Sequence, residues 1–237
     1  MTANESSLKV RYEAVLDRIS SAASAAGRDE SEITLVVISK NHPTQLVFDL
    51  IDLGARNFGE NRDQEAAPKA EEVAQQSNVE INWHFVGQLQ SNKVKSALNY
   101  ATTIHSLDRD SLLQAVRKEV ASRRLSDSSF STNVFIQLNL TDDPNRGGIH
   151  PTDLNKFAEA VLASEGLNLM GVMGVASLDR APEVDFETIA LASAQLRQLA
   201  PEATAISAGM SEDFEKAIPF GATHLRIGTA ITGKRVY

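Results

Sequence analysis

Eight short apolar runs alternate with helical patterns along this chain, and that alternation limits the folds open to it. A helical pattern comes first, with apolar residues at Leu8, Tyr12, Val15, Leu16 and Ile19. The apolar runs then cover residues 33–39, 56–60, 81–87, 102–107, 133–140, 168–176, 205–208 and 224–227. Strands separated by helices form parallel sheets. Eight such strands in 237 residues predict an α/β fold, a single (β/α)8 TIM barrel with an extra N-terminal helix.

An open doubly wound sheet is the competing fold, but no Gly-x-Gly-x-x-Gly follows the first strand. The chain contains no linker rich in Pro, Gly or Ser, so we expect residues 1–237 to form one domain. Pro68 interrupts the helical pattern that follows Asn61, which predicts a split or kinked helix there.

Composition excludes several classes of protein. The chain has no cysteine, which removes disulfides and thiolate metal sites, and its five histidines never pair at metal-ligand spacing. A formal net charge of -8 argues against nonspecific nucleic-acid binding. No signal peptide and no apolar stretch near the roughly 20 residues of a membrane span is visible. We therefore expect a cytoplasmic protein without a metal, nucleic-acid or membrane partner.

Lys40 stands where the first strand should end, directly before Asn41-His42-Pro43 and the next helix. A parallel strand is normally covered on both faces, so a charge at its end must face a cavity or a partner. A shielded lysine amine is suited to an imine bond with an aldehyde. The alternative is an ordinary exposed lysine on a loop.

Two loops at the other end of the chain combine glycine with hydroxyl residues, as phosphate sites do near the last two strands of such barrels. Ser211 follows Gly209, and Thr229 follows Gly228. Glycine permits close backbone approach, while hydroxyls and helix amides donate to anionic oxygens. The alternatives are a simple turn at Gly228 and, for Ser211, an N-cap of the helix carrying Phe214.

Arg226 shares a strand face with Gly228, and an inward guanidinium needs an acceptor. That acceptor is either an inward carboxylate or a ligand atom. Lys40, Arg226 and the two loops together fit pyridoxal 5'-phosphate, which carries an aldehyde, a phosphate and a ring nitrogen. Because arginine only donates, it favours an unprotonated pyridine, a weaker electron sink than a pyridinium.

Five segments in order along the chain resemble the pyridoxal-phosphate homeostasis proteins, the YggS/PROSC family. They are Val-Ile-Ser-Lys at 37–40, Phe-Gly-Glu-Asn at 58–61, Trp-His-Phe-Val-Gly with Leu-Gln-Ser-Asn-Lys within 83–93, Ser-Ala-Gly-Met-Ser at 207–211 and Arg-Ile-Gly-Thr-Ala-Ile at 226–231. This family is similar to the barrel domain of alanine racemase and of other type III pyridoxal-phosphate enzymes, without their β-rich domain.

The resemblance implies a role for each matching residue. Lys40 would be the Schiff-base lysine and Arg226 would face the ring nitrogen. Ser211, Gly228, Thr229 and the Met210 backbone would hold the phosphate. Asn61 would lie near the ring and His84 at the barrel mouth, although His84, between Trp83 and Phe85, reads equally well as a hydrogen-bonded core histidine.

One segment departs from the family pattern. Where the family commonly has Lys-Ser-Gly, this chain reads Arg146-Gly147-Gly148. Arg146 keeps the positive charge but cannot form an imine, so it cannot supply the imine chemistry that a lysine would bring to cofactor exchange at this position.

Two functions fit these residues. In the first, the protein binds pyridoxal phosphate, helps to control its pool without robust turnover, serves apo-enzymes that need the cofactor, and is a monomer. In the second, it is an amino-acid racemase with Lys40 and a second base. The three tyrosines, Tyr12, Tyr100 and Tyr237, fall in helical or terminal segments, and no sequence follows the eighth strand for a second domain. Both points favour the binding protein, so we expect no catalytic residue.

Overall fold

Eight parallel strands close into a barrel in chain order, which confirms the predicted TIM barrel. The structure, a computed structural model, describes residues 3–141, 143 and 146–233. The strands are β1 (Thr34–Ile38), β2 (Asn57–Glu60), β3 (Asn82–Phe85), β4 (Ala101–Leu107), β5 (Thr132–Gln137), β6 (Leu167–Met173), β7 (Ala205–Ser207) and β8 (His224–Ile227). Pairing of β8 with β1 closes the barrel, with Arg226 opposite Val36.

Helices surround the strands, and one precedes them as expected. They are α1 (Ala3–Ala25), α2 (Thr44–Asp52), α3 (Asp63–Gln76), α4 (Val94–Ala97), α5 (Asp110–Arg124), α6 (Leu154–Leu162), α7 (Pro182–Leu199), α8 (Phe214–Ala217) and α9 (Thr229–Thr232). Among the described residues, no helix has both the length and the apolar composition required to cross a bilayer.

Helix α3 continues through Pro68, so a split at this proline is wrong, while a kink there stays a prediction. Proline removes one backbone donor and crowds the preceding turn. On the same helix, however, Ala66, Lys69, Ala70 and Val73 are buried against the barrel. Tertiary packing of that face therefore outweighs the local preference for a break.

Two apolar regions lie on opposite faces of the strands. The larger one fills the layer between strands and helices, and the smaller one, inside the barrel, is centred on Phe135, Met173 and Ala205. Alternate strand residues point into a barrel. Polar side chains therefore share the interior with the smaller region, and His105 stacks on Phe135 with ring centroids 4.6 Å apart.

Helix α1 packs on the outside of the last strand–helix units. It buries Leu8, Tyr12, Val15 and Ile19, while Leu16, expected on the same apolar face, is 40% exposed. Arg11 Nε donates to the carbonyl of Ile231 at 2.6 Å. Arg28 Nη1 donates to the carbonyls of Ile218 and Ala222 at 2.9 and 2.7 Å. The N-terminal helix is thus fixed to the part of the fold that carries β8.

Candidate functional site

A cavity of about 520 Å³ opens at the carboxyl ends of β1, β6, β7 and β8. This is where TIM barrels bind their ligands, and the volume suits a small molecule. Six of the residues predicted from sequence line it: Lys40, Met210, Ser211, Arg226, Gly228 and Thr229. Residues that are nearly 190 positions apart in the chain therefore meet at one site because β1 and β8 are neighbours.

The backbone on both sides of Lys40 is held in place. Ser39 is buried, and its hydroxyl donates to Glu60 Oε1 at 2.8 Å. Asn41 adopts a left-handed conformation, with φ 59°, and its N–H donates to Glu65 Oε2 at 3.2 Å. The Lys40 amine itself makes no hydrogen bond or ion pair with any residue that the structure describes. It is available to a ligand.

Ser211 lies against the start of α9 and joins the two predicted phosphate loops. Its Oγ accepts hydrogen bonds from the backbone N–H groups of Gly228 and Ala230 at 3.2 and 3.3 Å. The alternative in which Ser211 caps the helix carrying Phe214 is wrong, because Asp213 is the N-cap residue of α8 and the Ser211 hydroxyl bonds amides at the start of α9. The arrangement places a hydroxyl and adjacent amides on one wall of the cavity, which suits an anionic oxygen.

Gly209 allows the chain to turn from β7 toward Ser211. Its φ of 91° lies in the left-handed region, and a Cβ there would come within 2.9 Å of Phe214 Cα. Only glycine meets both conditions without strain. Beyond the turn, the Met210 N–H donates to Asp213 Oδ1 at 2.6 Å, which fixes the loop that carries Ser211.

Arg226 points into the barrel at the floor of the cavity and is 5% exposed. Its Nη1 donates to Ser207 Oγ at 2.5 Å and its Nη2 to the carbonyl of Gly174 at 2.8 Å. Burial lowers the pKa of Arg226 to about 10, partly offset by the charge of Asp213. Within the described part of the chain no carboxylate forms an ion pair with this guanidinium, so the structural salt bridge is not found.

The loop after β6 forms the opposite wall, and the sequence patterns did not identify it. Ala176, Ser177 and Arg180 line the cavity. Buried Asp185 on α7 holds this loop, because its Oδ2 accepts from the Ser177 N–H at 2.6 Å and its Oδ1 pairs with Arg180. No local motif indicates this wall. Its position after a strand was the only available signal.

Arg146, the residue that departs from the family pattern, lies beside this same wall. Its Nη2 is 3.5 Å from the carbonyl oxygen of Ala176, which lines the cavity. The guanidinium thus keeps a positive charge near the site.

Two predicted residues do not line the cavity. Asn61 instead lines a neighbouring cavity of about 550 Å³ over β2 and β3. His84 is 4% exposed inside the barrel, so its expected position at the mouth is wrong, and the alternative of a hydrogen-bonded core histidine describes its surroundings. The His84 ring therefore packs among the other side chains of the barrel interior. A cofactor contact from Asn61 or His84 stays a prediction.

His84 belongs to a group of three interior histidine rings, with His84 and His105 buried and His224 half-buried, which the sequence patterns did not bring together. His84 Nδ1 lies 2.9 Å from His105 Nε2, and His105 Nδ1 lies 2.8 Å from Ser207 Oγ. His224 lies within 6.2 Å of both other rings, measured between centroids. Desolvation lowers the pKa of His84 to about 3 and that of His224 to about 4, and it lowers the pKa of His105 well below its usual value. These rings are neutral at physiological pH.

Residues 3–141, 143 and 146–233 include no group of three or more His, Asp or Glu side chains placed to hold a metal ion. The prediction of a metal-free site stays a prediction.

The fold and the cavity define a small-molecule-binding TIM barrel whose site lies at the carboxyl ends of its strands. Comparison with known proteins gives the family. The chain belongs to the pyridoxal phosphate homeostasis proteins, and the sequence profile of the family described as "Alanine racemase, N-terminal domain" matches residues 10–236.

Three relatives illustrate the similarity. The pyridoxal phosphate homeostasis protein of Mycobacterium leprae is 38% identical over 239 residues, covering 97% of this chain and 93% of that protein. Its counterpart in Escherichia coli K12 is 36% identical over 230 residues, covering 94% of each. The solved structure of PipY from Synechococcus elongatus PCC7942 with PLP bound is 30% identical, covers 91% of this chain and all of that one, and superimposes with a TM-score of 0.77.

Proposed function

We propose that this protein binds pyridoxal 5'-phosphate as a covalent imine at Lys40 and contributes to control of the intracellular pool of that cofactor without robust turnover. One observation carries the proposal: a single cavity combines Lys40, Ser211, Arg226, Gly228 and Thr229. The names of the relatives and the PLP bound to PipY support it. We further propose that residues 1–237 act as one monomeric cytoplasmic domain that serves apo-enzymes.

The residues present fit the phosphate group. Ser211 Oγ accepts from two backbone amides, so the hydroxyl hydrogen is free to point into the cavity. Gly228 leaves the wall open, since a Cβ there would meet Ile38 only at ordinary contact distance, 3.4 Å. Phosphate oxygens accept hydrogen bonds from hydroxyl groups, and Thr229 adds a second hydroxyl to the lining of the same cavity.

The residues also fit an aromatic ring with a nitrogen acceptor. Arg226 is buried, lines the cavity and makes its two hydrogen bonds to neutral oxygens, so its charge is paired with no carboxylate among residues 3–141, 143 and 146–233. A guanidinium has five N–H donors and cannot accept. Opposite Arg226 the ring nitrogen would remain unprotonated, and the bound cofactor would withdraw electrons weakly.

Lys40 supplies the covalent attachment. Its amine has no partner among the described residues, and its backbone is held by the buried Ser39 and by Asn41. The cofactor, when bound, supplies an aldehyde that condenses reversibly with an amine. Reversibility suits a protein that stores and releases a reactive aldehyde.

The tyrosine positions support binding without turnover. A two-base racemase needs a second group that faces the substrate from the side opposite Lys40. Neither Tyr12 nor Tyr100 lines the cavity, and Tyr237 lies outside the described residues. Exchange of solvent deuterium into the α-position of L- or D-alanine at enzyme-like rates would contradict the absence of turnover.

Absorbance spectra before and after borohydride reduction, followed by peptide mapping, test the cofactor link. We expect a yellow protein whose reduced adduct maps to Lys40 and is lost in Lys40→Ala. Lys216→Ala is the matched control, since Lys216 lines the same cavity but pairs with Glu183 at 2.9 Å. A colourless protein after incubation with the cofactor would overturn the proposal.

A further inference from the structure

A continuous chain of hydrogen bonds runs from the floor of the cavity across the barrel interior. It links Arg226 Nη1 to Ser207 Oγ at 2.5 Å, Ser207 Oγ to His105 Nδ1 at 2.8 Å and His105 Nε2 to His84 Nδ1 at 2.9 Å. A last link joins His84 Nε2 to Asn57 Oδ1 at 3.1 Å. The chain crosses from β8 through β7, β4 and β3 to β2.

We propose that Ser207, His105, His84 and Asn57 are positioning residues for Arg226, and that they form a one-way chain in which every hydrogen bond donates away from the cavity. This inference rests on the proposed function, because its consequence for a ligand depends on Arg226 facing the cofactor ring.

The direction of the chain follows from its Asn57 end. Asn57 Oδ1 can only accept, so His84 carries its proton on Nε2 and the Nδ1 of this neutral ring accepts. His105 therefore donates from Nε2 to His84 Nδ1, and its own Nδ1 accepts from the Ser207 hydroxyl. The Ser207 oxygen keeps lone pairs that accept from Arg226, which can only donate. The chain therefore requires the Nε2–H tautomer in both rings.

Burial makes this arrangement rigid. His105 is fully buried, and desolvation lowers the pKa of both rings, so neither gains a second proton at physiological pH. A proton on His105 Nδ1 would force the Nδ1–H tautomer on His84 as well, and the His84 Nε2 lone pair would then face Asn57 Oδ1 with no hydrogen between them. Arg226 is thus kept in one orientation as a donor, and the interior cannot pass a proton up to the cavity unless both rings change tautomer.

Two buried serines in the barrel provide a matched pair of variants. Ser207→Ala removes the link between Arg226 and His105. Ser106→Ala removes a hydroxyl that is equally buried, next to His105 in sequence, and whose Oγ has no hydrogen-bond partner in the described part of the chain. Both changes remove one oxygen from a fully buried serine, but only the first breaks the chain.

Two measurements test the chain. In the cofactor-free full-length protein, ¹⁵N NMR of labelled histidines should give the Nε2–H tautomer for His84 and His105, and His105 should lose its single tautomer in Ser207→Ala.

With the cofactor, Ser207→Ala should keep the Lys40 adduct, shift its visible absorption and weaken binding roughly tenfold, the effect of leaving one buried donor unpaired. Ser106→Ala should match the unmodified protein in both.

The outcomes separate this inference from the proposed function. A Nδ1–H tautomer in either ring of the unmodified protein would overturn the chain, and this result needs no variant to fold. A Lys40 adduct with unchanged spectrum and affinity in Ser207→Ala would overturn the positioning role alone. Absence of any lysine adduct in the unmodified protein would overturn both proposals.

Discussion

Lys69 on α3 donates to the carbonyl of Ser39, the residue before Lys40, at 3.0 Å between Nζ and O. The same Nζ lies 2.5 Å from Glu60 Oε1 on β2, and the side chains of Lys69 and Glu60 are 6% and 0% exposed. A buried ion pair therefore fixes the strand end that presents Lys40. Removal of one partner would leave the other charge buried alone.

Lys69→Met should consequently destabilise the protein strongly. The uncompensated Glu60 carboxylate would lower the free energy of unfolding by about 3–5 kcal/mol. Urea denaturation measures this change. Lys9→Met is the control, because Lys9 pairs with Glu13 at 3.7 Å with both side chains about half exposed, and such pairs contribute little. Equal stability of the two variants would contradict a structural role for the buried pair.

Ser211→Ala should weaken binding of the cofactor and of inorganic phosphate without loss of the fold. The change removes the hydroxyl donor and the acceptor for the Gly228 and Ala230 amides, so we expect a loss of about tenfold. Isothermal titration calorimetry gives the affinities. Ser177→Ala is the matched control, since Ser177 lines the same cavity but its hydroxyl bonds only within its own loop, to Asp179 at 3.4 Å. Equal losses of affinity in both variants would show that Ser211 does not contact the phosphate.

The buried histidines should make stability fall as the solution becomes acidic. Desolvation lowers the pKa of His84 to about 3 and of His224 to about 4, from 6.5 in the unfolded chain. Between these folded-state pKa values and 6.5 the unfolded state binds more protons than the folded state. The free energy of unfolding therefore falls as the pH decreases below about 6.5. Each such histidine contributes up to about 1.4 kcal/mol per pH unit.

Denaturation curves at pH 7, 6 and 5 measure this dependence. His224→Gln should reduce the slope between pH 6 and 5 relative to the unmodified protein. The same slope in His224→Gln and the unmodified protein would show that His224 does not titrate differently on unfolding.

The barrel was predictable because its signals are local. All eight apolar runs overlap the strands observed and begin within one residue of them, since parallel strands covered on both faces are rich in apolar residues. The split predicted at Pro68 was wrong for the opposite reason. The local effect of the proline is overcome by burial of Ala66 and Val73, which only the folded packing creates.

Residues of the candidate site were predictable where both the chemistry of a side chain and its position at the end of a strand indicated a ligand. Lys40, Arg226 and the Ser211 loop carry residue types that need a partner at strand ends. The wall at Ser177 and Arg180 depends on buried Asp185, on the following helix, and no spacing in the sequence gives that pairing. His105 and Ser207 each occupy an inward strand position, but their hydrogen bond joins residues 102 positions apart.

The attachment of α1 to the last turns of the fold sets the order in which the protein can become functional. Arg18 on α1 binds Glu215 through two hydrogen bonds of 2.7 and 2.8 Å, 197 positions later. During synthesis Lys40 leaves the ribosome long before Ser211, Arg226 and Thr229. The pairing of β1 with β8 cannot form until β8 has also been made. A ribosome-bound chain that stops before β8 has Lys40 but lacks Arg226, Gly228 and Thr229, so the cavity of the proposed site cannot form until β8 and the turn after it have been made.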